Sequence, residues 1–330
     1  MIRQESNGNK PTITQHFTRA VIRAMEVQGI AIPNAVLERV SHYQGEDRIP
    51  MAVQDEIWTS LVAENTKPGF GLEIGLTIQP GSLDLIGFLL LSCDTLEDAL
   101  DALITYNPLV SEGGEFLSTE TPKGVQLIYS PFYKAVREER VETVLSALVT
   151  LSRYLTGGHA HPIAVNVAHP VIGDALRYQQ LGCPVYFDQA VDSIVFSREH
   201  LETPLMQANT LVNQQMRQLA DDKLKQFKLD EVSKKVSMIL NKHPDWSKDQ
   251  VADAMHVSGR HLNRLLSHEG CTYRSVADDV RSIIAKSMFL TDSPLYAIAI
   301  TLGFSDESAF SKAFKRWTGL SPTQFKAQQQ

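Results

Sequence analysis

Gly303-Phe304-Ser305-Asp306-Glu307-Ser308-Ala309-Phe310-Ser311-Lys312-Ala313-Phe314-Lys315-Arg316-Trp317-Thr318-Gly319 is the stretch that decides how this chain folds. Phe310, Ala313, Phe314 and Trp317 recur at helical spacing and make one apolar stripe. Ser308, Ser311 and Lys312 are left on the opposite side, with Glu307 near the helix start. Gly303, just ahead, provides a turn position that takes positive φ without a Cβ penalty. Before it, Pro294 to Leu302 carries a helical pattern with Ala299, small enough for a following helix to cross closely. After Gly319, Ser321-Pro322 with Gln324 restarts a helix. A helix, a turn and a second helix with one dry and one polar face make a helix-turn-helix unit.

The same unit stands once more upstream. Ala252 matches Ala299 at an offset of 47, Leu262 matches Phe310 at 48, and Gly270 matches Gly319 at 49. So small a drift points to one structural unit used twice. Ser247 with Gln250 caps the first helix of this copy and Ser258 the second. His256 stands where the other copy has Gly303, a less favourable residue for the turn. Leu262, Leu265 and Leu266 form a stripe, while Arg260, Asn263 and Arg264 lie opposite. Arg pairs bidentately with guanine O6 and N7, and Asn with adenine N6 and N7, each worth about 1–3 kcal/mol of discrimination. Glu307 suits cytosine N4 or simply stands as a solvated carboxylate. A helical bundle with polar faces is the plainer reading of either copy, but packing alone gives no reason for two capped polar helices at matching offsets.

These residues resemble the AraC family of transcription regulators, most specifically Gly303 to Arg316 followed by Gly319-Leu320-Ser321-Pro322. The resemblance implies two helix-turn-helix subdomains joined by a helix over about 273–290, with recognition helices entering successive major grooves. It places the base-reading positions at Arg260, Asn263, Arg264, Glu307, Ser308, Ser311 and Lys312. Ile283 and Ile284 depart from the pattern, standing where charged residues are common. Gly69-Phe70-Gly71-Leu72-Glu73-Ile74-Gly75 and Leu181-Gly182-Cys183-Pro184-Val185-Tyr186-Phe187 resemble the N-terminal domain of a subgroup named for arabinose binding. That likeness implies an effector site and a dimerisation surface. The expected function is a sequence-specific, promoter-binding regulator, an activator controlled by a small-molecule effector. Its partners would be double-stranded DNA, RNA polymerase and a second copy.

Composition fits this reading. At 330 residues and 43% hydrophobic, the chain can bury two cores. The net charge of −7 hides an asymmetry, since residues 230–330 hold 13 Lys+Arg against 11 Asp+Glu and the remainder 18 against 27. That weak basic excess predicts modest non-specific DNA affinity. Met1 to Lys10 lacks a signal core, and the longest apolar run, Leu83 to Cys93, is too short to span a bilayer. Cys93, Cys183 and Cys271 are scattered, as suits a reducing cytosol. The expectation is a cytoplasmic protein without membrane, metal or cofactor.

The expected fold class is α+β, a mixed α/β effector domain followed by an all-α domain. Residues 1–13 read as a flexible N-terminus, 14–225 as the effector and dimerisation domain, and 230–330 as the DNA-binding domain. Its units cover about 247–268 and 295–317, and a hinge is placed near 225–230. Within the first domain, helical spacing marks Gln15 to Gln28, a helix opened by Pro50, and one after a Thr95–Asp98 capping box. Glu115 to Ser130 reads as a hairpin, Ala135 to Leu155 as a long helix and Ile172 to Leu181 as an amphipathic one. Short strands are expected at 163–168, 184–187 and 193–197, and a last helix from Thr210 to Phe227.

The rival function is an enzyme or repair protein with an appended DNA-binding module. It would need a nucleophile elbow, a zinc set or a reactive cysteine, and the sequence has no G-x-S-x-G, no H-E-x-x-H and no clustered cysteines. A phosphorylated receiver would need an early acidic pair on alternating β/α elements. Gly69-x-Gly71 with Gly75 misses the dinucleotide spacing and reads as a tight turn. His159 and His161 read as a polar loop and His169-Pro170 as a strand-end turn. Tyr106, Tyr129, Phe132 and Tyr133 suit a core or a cavity wall.

Overall fold

In the computed structural model the described residues are 11–65, 67–226, 232–290 and 293–328. Two compact units result, the body of one formed by residues 11–116 and 123–225, that of the other by the residues after Gln226. Of the hinge expected near 225–230, Lys225 and Gln226 end a helix, while 227–230 and the residues before Pro11 lie outside the described residues.

The first unit opens on a short antiparallel pair, β1 (Thr12–Thr14) and β2 (Arg48–Pro50), so Thr12 and Ile13 belong to the folded domain rather than to a flexible terminus. Helices α1 (Gln15–Gln28), α2 (Asn34–His42), α3 (Met51–Glu64), α4 (Phe70–Leu76), α5 (Leu85–Ser92) and α6 (Leu96–Val110) follow in order around this pair. Thr95 and Asp98 form the expected reciprocal cap of α6. The hairpin β3 (Gly114–Thr121) and β4 (Gly124–Pro131) leads to the long helix α7 (Arg137–Leu155), then to β5 (Ala164–Asn166), β6 (Val185–Tyr186) and β7 (Asp192–Phe196).

The sheet order is β3-β4-β7-β5-β6, with β7 antiparallel to both β4 and β5, and β5 parallel to β6. Every residue of the central strand β7 is buried, as covering on both faces demands. A short α8 (Arg198–Leu201) and α9 (Thr210–Gln226) complete the unit.

Helix α7 is the axis of this domain, and α4 crosses it at backbone distance. A Cβ on Gly71 would lie 2.0 Å from the Glu139 carbonyl oxygen, and one on Gly75 2.3 Å from that of Thr143. The glycine cluster thus divides its work. Gly69, at φ +96°, makes the expected turn, whereas Gly71 and Gly75 permit the crossing. The amphipathic helix expected over 172–181 is instead a 3-10 segment, Ala175–Leu181, capped by Asp174. Gly173 at φ +68° and Gly182 at φ +66° bound the segment on either side.

The second unit is helical throughout its described residues. Its elements are α10 (Val232–Lys242), α11 (Lys248–Ala254), α12 (Gly259–His268), α13 (Tyr273–Phe289), α14 (Leu295–Thr301), α15 (Glu307–Thr318) and α16 (Pro322–Gln328). The expected caps form. Ser247 and Gln250 bond reciprocally ahead of α11, Ser258 accepts from the His261 amide, and Ser321 and Gln324 exchange bonds at the start of α16. Gly303 takes φ +75° at its turn, and His256 takes φ +56° at the matching one.

Candidate nucleic-acid interface and effector cavity

Both recognition helices are anchored by buried apolar residues and leave a polar face outside. In α12, Leu262 and Leu266 are fully buried, Leu265 is half-buried, and Arg260, Asn263 and Arg264 are exposed. Arg264 Nη2 lies 3.0 Å from His261 Nδ1, which fixes that nitrogen as the acceptor and restrains the guanidinium. In α15, Phe310, Ala313 and Phe314 are buried while Glu307, Ser308 and Lys312 are exposed. Ser311, expected outward, is half-buried on the flank of the stripe, and Trp317 is likewise half-buried.

The second unit's core is aromatic. Phe314 meets Phe325 edge-on at 5.2 Å, and Phe289 and Phe304 close on Phe310. Asp306 caps α15 by accepting from the Ala309 amide at 2.7 Å, and that bond with the Ser305 hydroxyl holds its carboxyl below the usual range.

Helix α13 ties the two copies together. Arg281 donates from Nε to Pro244 O at 2.7 Å and from Nη2 to Trp246 O at 3.0 Å, and its guanidinium carbon lies 5.9 Å from the Phe304 ring centre. Tyr273 also donates to Trp246 O, and Arg316 of α15 donates to both carboxylate oxygens of Asp278. Gly303 approaches Asp245 so closely that a Cβ would stand 2.6 Å from the Asp245 carbonyl oxygen. The turn of one copy therefore rests on the loop before the other. Ile284 is buried and Ile283 half-buried, so these departures from the family pattern extend the core.

The N-terminal unit holds a cavity of about 90 Å³ walled by the aromatic residues Phe17, Trp58, Phe116, Tyr129 and Tyr133, with Gln54, Asn107 and Arg140 among its polar lining. Of the aromatics singled out by sequence, Tyr129 and Tyr133 reach it. Tyr106 instead donates to Asp221 at 2.8 Å, and Phe132 is exposed. Burial pushes Tyr129 up to about 12 and Tyr133 up as well, so both stay phenolic.

Beside the α4–α7 crossing lies a second polar group that sequence reading missed. Glu139 accepts from the Gly69 and Gly71 amides, and Glu142 accepts from Arg177 at 2.7 Å and from the Tyr178 hydroxyl. His169 Nε2, buried without a hydrogen-bond partner, lies 4.0 Å from Glu142. The run Arg137-Glu138-Glu139-Arg140-Val141-Glu142 resembles a solvated first turn, which is why its burial was not legible. His161 packs against the His200 ring at 4.6 Å. Burial raises the thiol pKa of both Cys93 and Cys183, the opposite of what a nucleophile needs.

Comparison with known proteins agrees with this architecture. Residues 33–205 match the model of the arabinose-binding domain of AraC transcription regulators, N-terminal, and residues 251–328 match a helix-turn-helix domain. The chain is 29% identical over 267 residues to the ornithine utilization regulator of Pseudomonas aeruginosa, covering 79% of each chain. It is 26% identical to the transcriptional regulator VqsM of the same organism, covering 95% of this chain and 98% of that one. The crystal structure of the transcriptional regulator CdpR from Pseudomonas aeruginosa aligns over 98% of this chain and 100% of its own, with a TM-score of 0.50 at 21% identity, a likeness of fold. With its arabinose-binding-type N-terminal domain and its two helix-turn-helix units, the chain belongs to the AraC family of DNA-binding transcription regulators.

Proposed function

We propose that this regulator reads a two-block operator, with Arg260, Asn263 and Arg264 facing one block and Glu307, Ser308, Ser311 and Lys312 the other. It acts as an activator that engages RNA polymerase in the cytoplasm. A small molecule in the N-terminal cavity sets its activity, the same domain pairs two copies, and the protein performs no catalysis. Residues 14–225 form the effector domain and 230–330 the DNA-binding domain.

The observation that carries this reading is the pair of capped helices whose polar faces stand free of their own core, each opposite a buried stripe. Arg281 and Gly303 join the copies, so the two faces approach DNA as one body. The raised thiols of Cys93 and Cys183 weigh against a reactive-cysteine enzyme.

Gel shift of the full chain on the region upstream of its own gene tests the reading, at moderate salt so that phosphate contacts do not dominate. A specific complex that resists excess random duplex, and whose stability changes with an added metabolite, is the expected result. Equal binding to random duplex would overturn it.

A further inference from the structure

Arg140 is a buried cation only partly used by its own protein. Its side chain is 5% exposed, and its Nη1 donates to Asp55 and, at 3.3 Å, to Ala135 O. Nε and Nη2 find no acceptor among the described residues, and the guanidinium lies 3.5 Å above the Tyr133 ring centre. Asp55 sits toward solvent with its side chain 38% exposed, so it engages one edge of the fork from outside.

Two more donors border the same cavity. Gln54, 1% exposed, accepts through Oε1 from Thr18 at 3.1 Å, which leaves its Nε2 without an acceptor. Tyr133 accepts from the Tyr129 hydroxyl at 3.2 Å and keeps its own proton to donate. Asn107 spends its amide on Gly114 O at 2.8 Å and Ser111 O. The cavity thus offers a guanidinium edge and a phenol as donors with the Gln54 amide beside them; Asn107, Ser111 and Thr143 are its remaining polar lining, and the rest of its walls are apolar.

Donors that open onto a cavity are met by whatever fills it, and a planar carboxylate matches a guanidinium edge bidentately. Building on the effector reading above, we infer that the cavity takes a monocarboxylic acid with an apolar body, alkyl or aryl, its carboxylate received by Arg140 Nε and Nη2 with Gln54 and Tyr133 beside it. Aromatic walls at Phe17, Trp58 and Phe116 take the body. A ligand headed by an ammonium group meets the wrong charge there.

Titration calorimetry of the full chain with octanoate and phenylacetate, each paired with its primary amide, tests this. At least one acid is expected to bind, with its amide weaker by tenfold or more, and comparison of the two acids separates an alkyl from an aryl body. Arg140→Lys keeps the charge but loses the fork and should weaken that acid at least tenfold. Asp55→Asn, which removes the competing carboxylate, should tighten it.

Val144→Phe fills the cavity from α7 without removing a polar contact and should abolish binding, while its far-UV circular dichroism and the thermal unfolding midpoint of the N-terminal unit report that it is folded. Acids and amides binding equally would overturn the carboxylate assignment while leaving an effector site in place. An acid that binds Val144→Phe as well as the parent, or no acid binding at all, would overturn the inference outright. A promoter reporter unchanged by every probe and by Val144→Phe would count against effector control itself.

Discussion

Arg260 stands in the first turn of α12 with its side chain exposed, while Leu262 and Leu266 in the same helix are fully buried. The two kinds of position should fail differently. Arg260→Ala should weaken the specific complex by about 1–3 kcal/mol and relax preference at one base pair, with little change in unfolding midpoint. Leu266→Ala should lower folding stability by about 2–5 kcal/mol, read by urea denaturation, and lose DNA binding only because the helix is lost. Were Arg260 a phosphate contact, its variant would bind all sequences more weakly and reduce the salt slope by about one. Which residues of α12 face outward was legible from helical spacing alone, whereas in α15 the same spacing put Ser311 outward and it is half-buried. The bond from Arg264 to His261 was not, because both residues sit on the polar side and spacing says nothing of which rotamers meet.

At the scale of elements, glycine positions separate turn geometry from close packing. Gly303 and Gly270 both hold positive φ, but a Cβ at Gly270 meets nothing within 4 Å whereas one at Gly303 strikes the Asp245 backbone. Gly270→Ala should carry only the conformational cost, about 1 kcal/mol, and Gly303→Ala visibly more, with a change in operator affinity because the two copies shift. Thermal denaturation beside gel shift measures both. Gly75→Ala, at the α4–α7 crossing, should cost about 1–3 kcal/mol through forced separation of the helices.

Helix α7 carries a pH dependence as well. Burial pushes Glu142 up from 4.5 to about 8 against the opposing pull of Arg177 and Tyr178, so the folded state holds this proton more tightly than the unfolded chain. Its contribution to stability is then fully present below pH 4.5 and lost as pH rises through about 8. Urea midpoints of the parent should therefore fall relative to Glu142→Gln across that window, and parallel curves would contradict the account. The capping boxes, the hairpin and the long helix were all readable from local signals. The pair β1–β2 was not, since three-residue strands lack a period to detect, and neither was the buried charge of α7, whose partners Arg177 and Tyr178 come from more than thirty residues away.

For the whole molecule, the repeat spacing carried the C-terminal architecture because a helix-turn-helix unit is local in sequence. The N-terminal domain was legible only as a mixture of elements, since its sheet order β3-β4-β7-β5-β6 and its cavity depend on contacts far apart in the chain. The joint between the two DNA-reading units, through Arg281, Phe304 and Gly303, also emerges only in three dimensions. That joint makes the central claim measurable, because two helices held as one body should read two blocks at a fixed spacing. Selection from a randomised duplex library by the full chain, run beside Arg260→Ala, tests this most directly. The account predicts two preferred blocks about 10–10.5 bp apart, one helical turn, with Arg260→Ala losing preference in one block and keeping the other. A single block, or base preferences unaltered by Arg260→Ala, would contradict it.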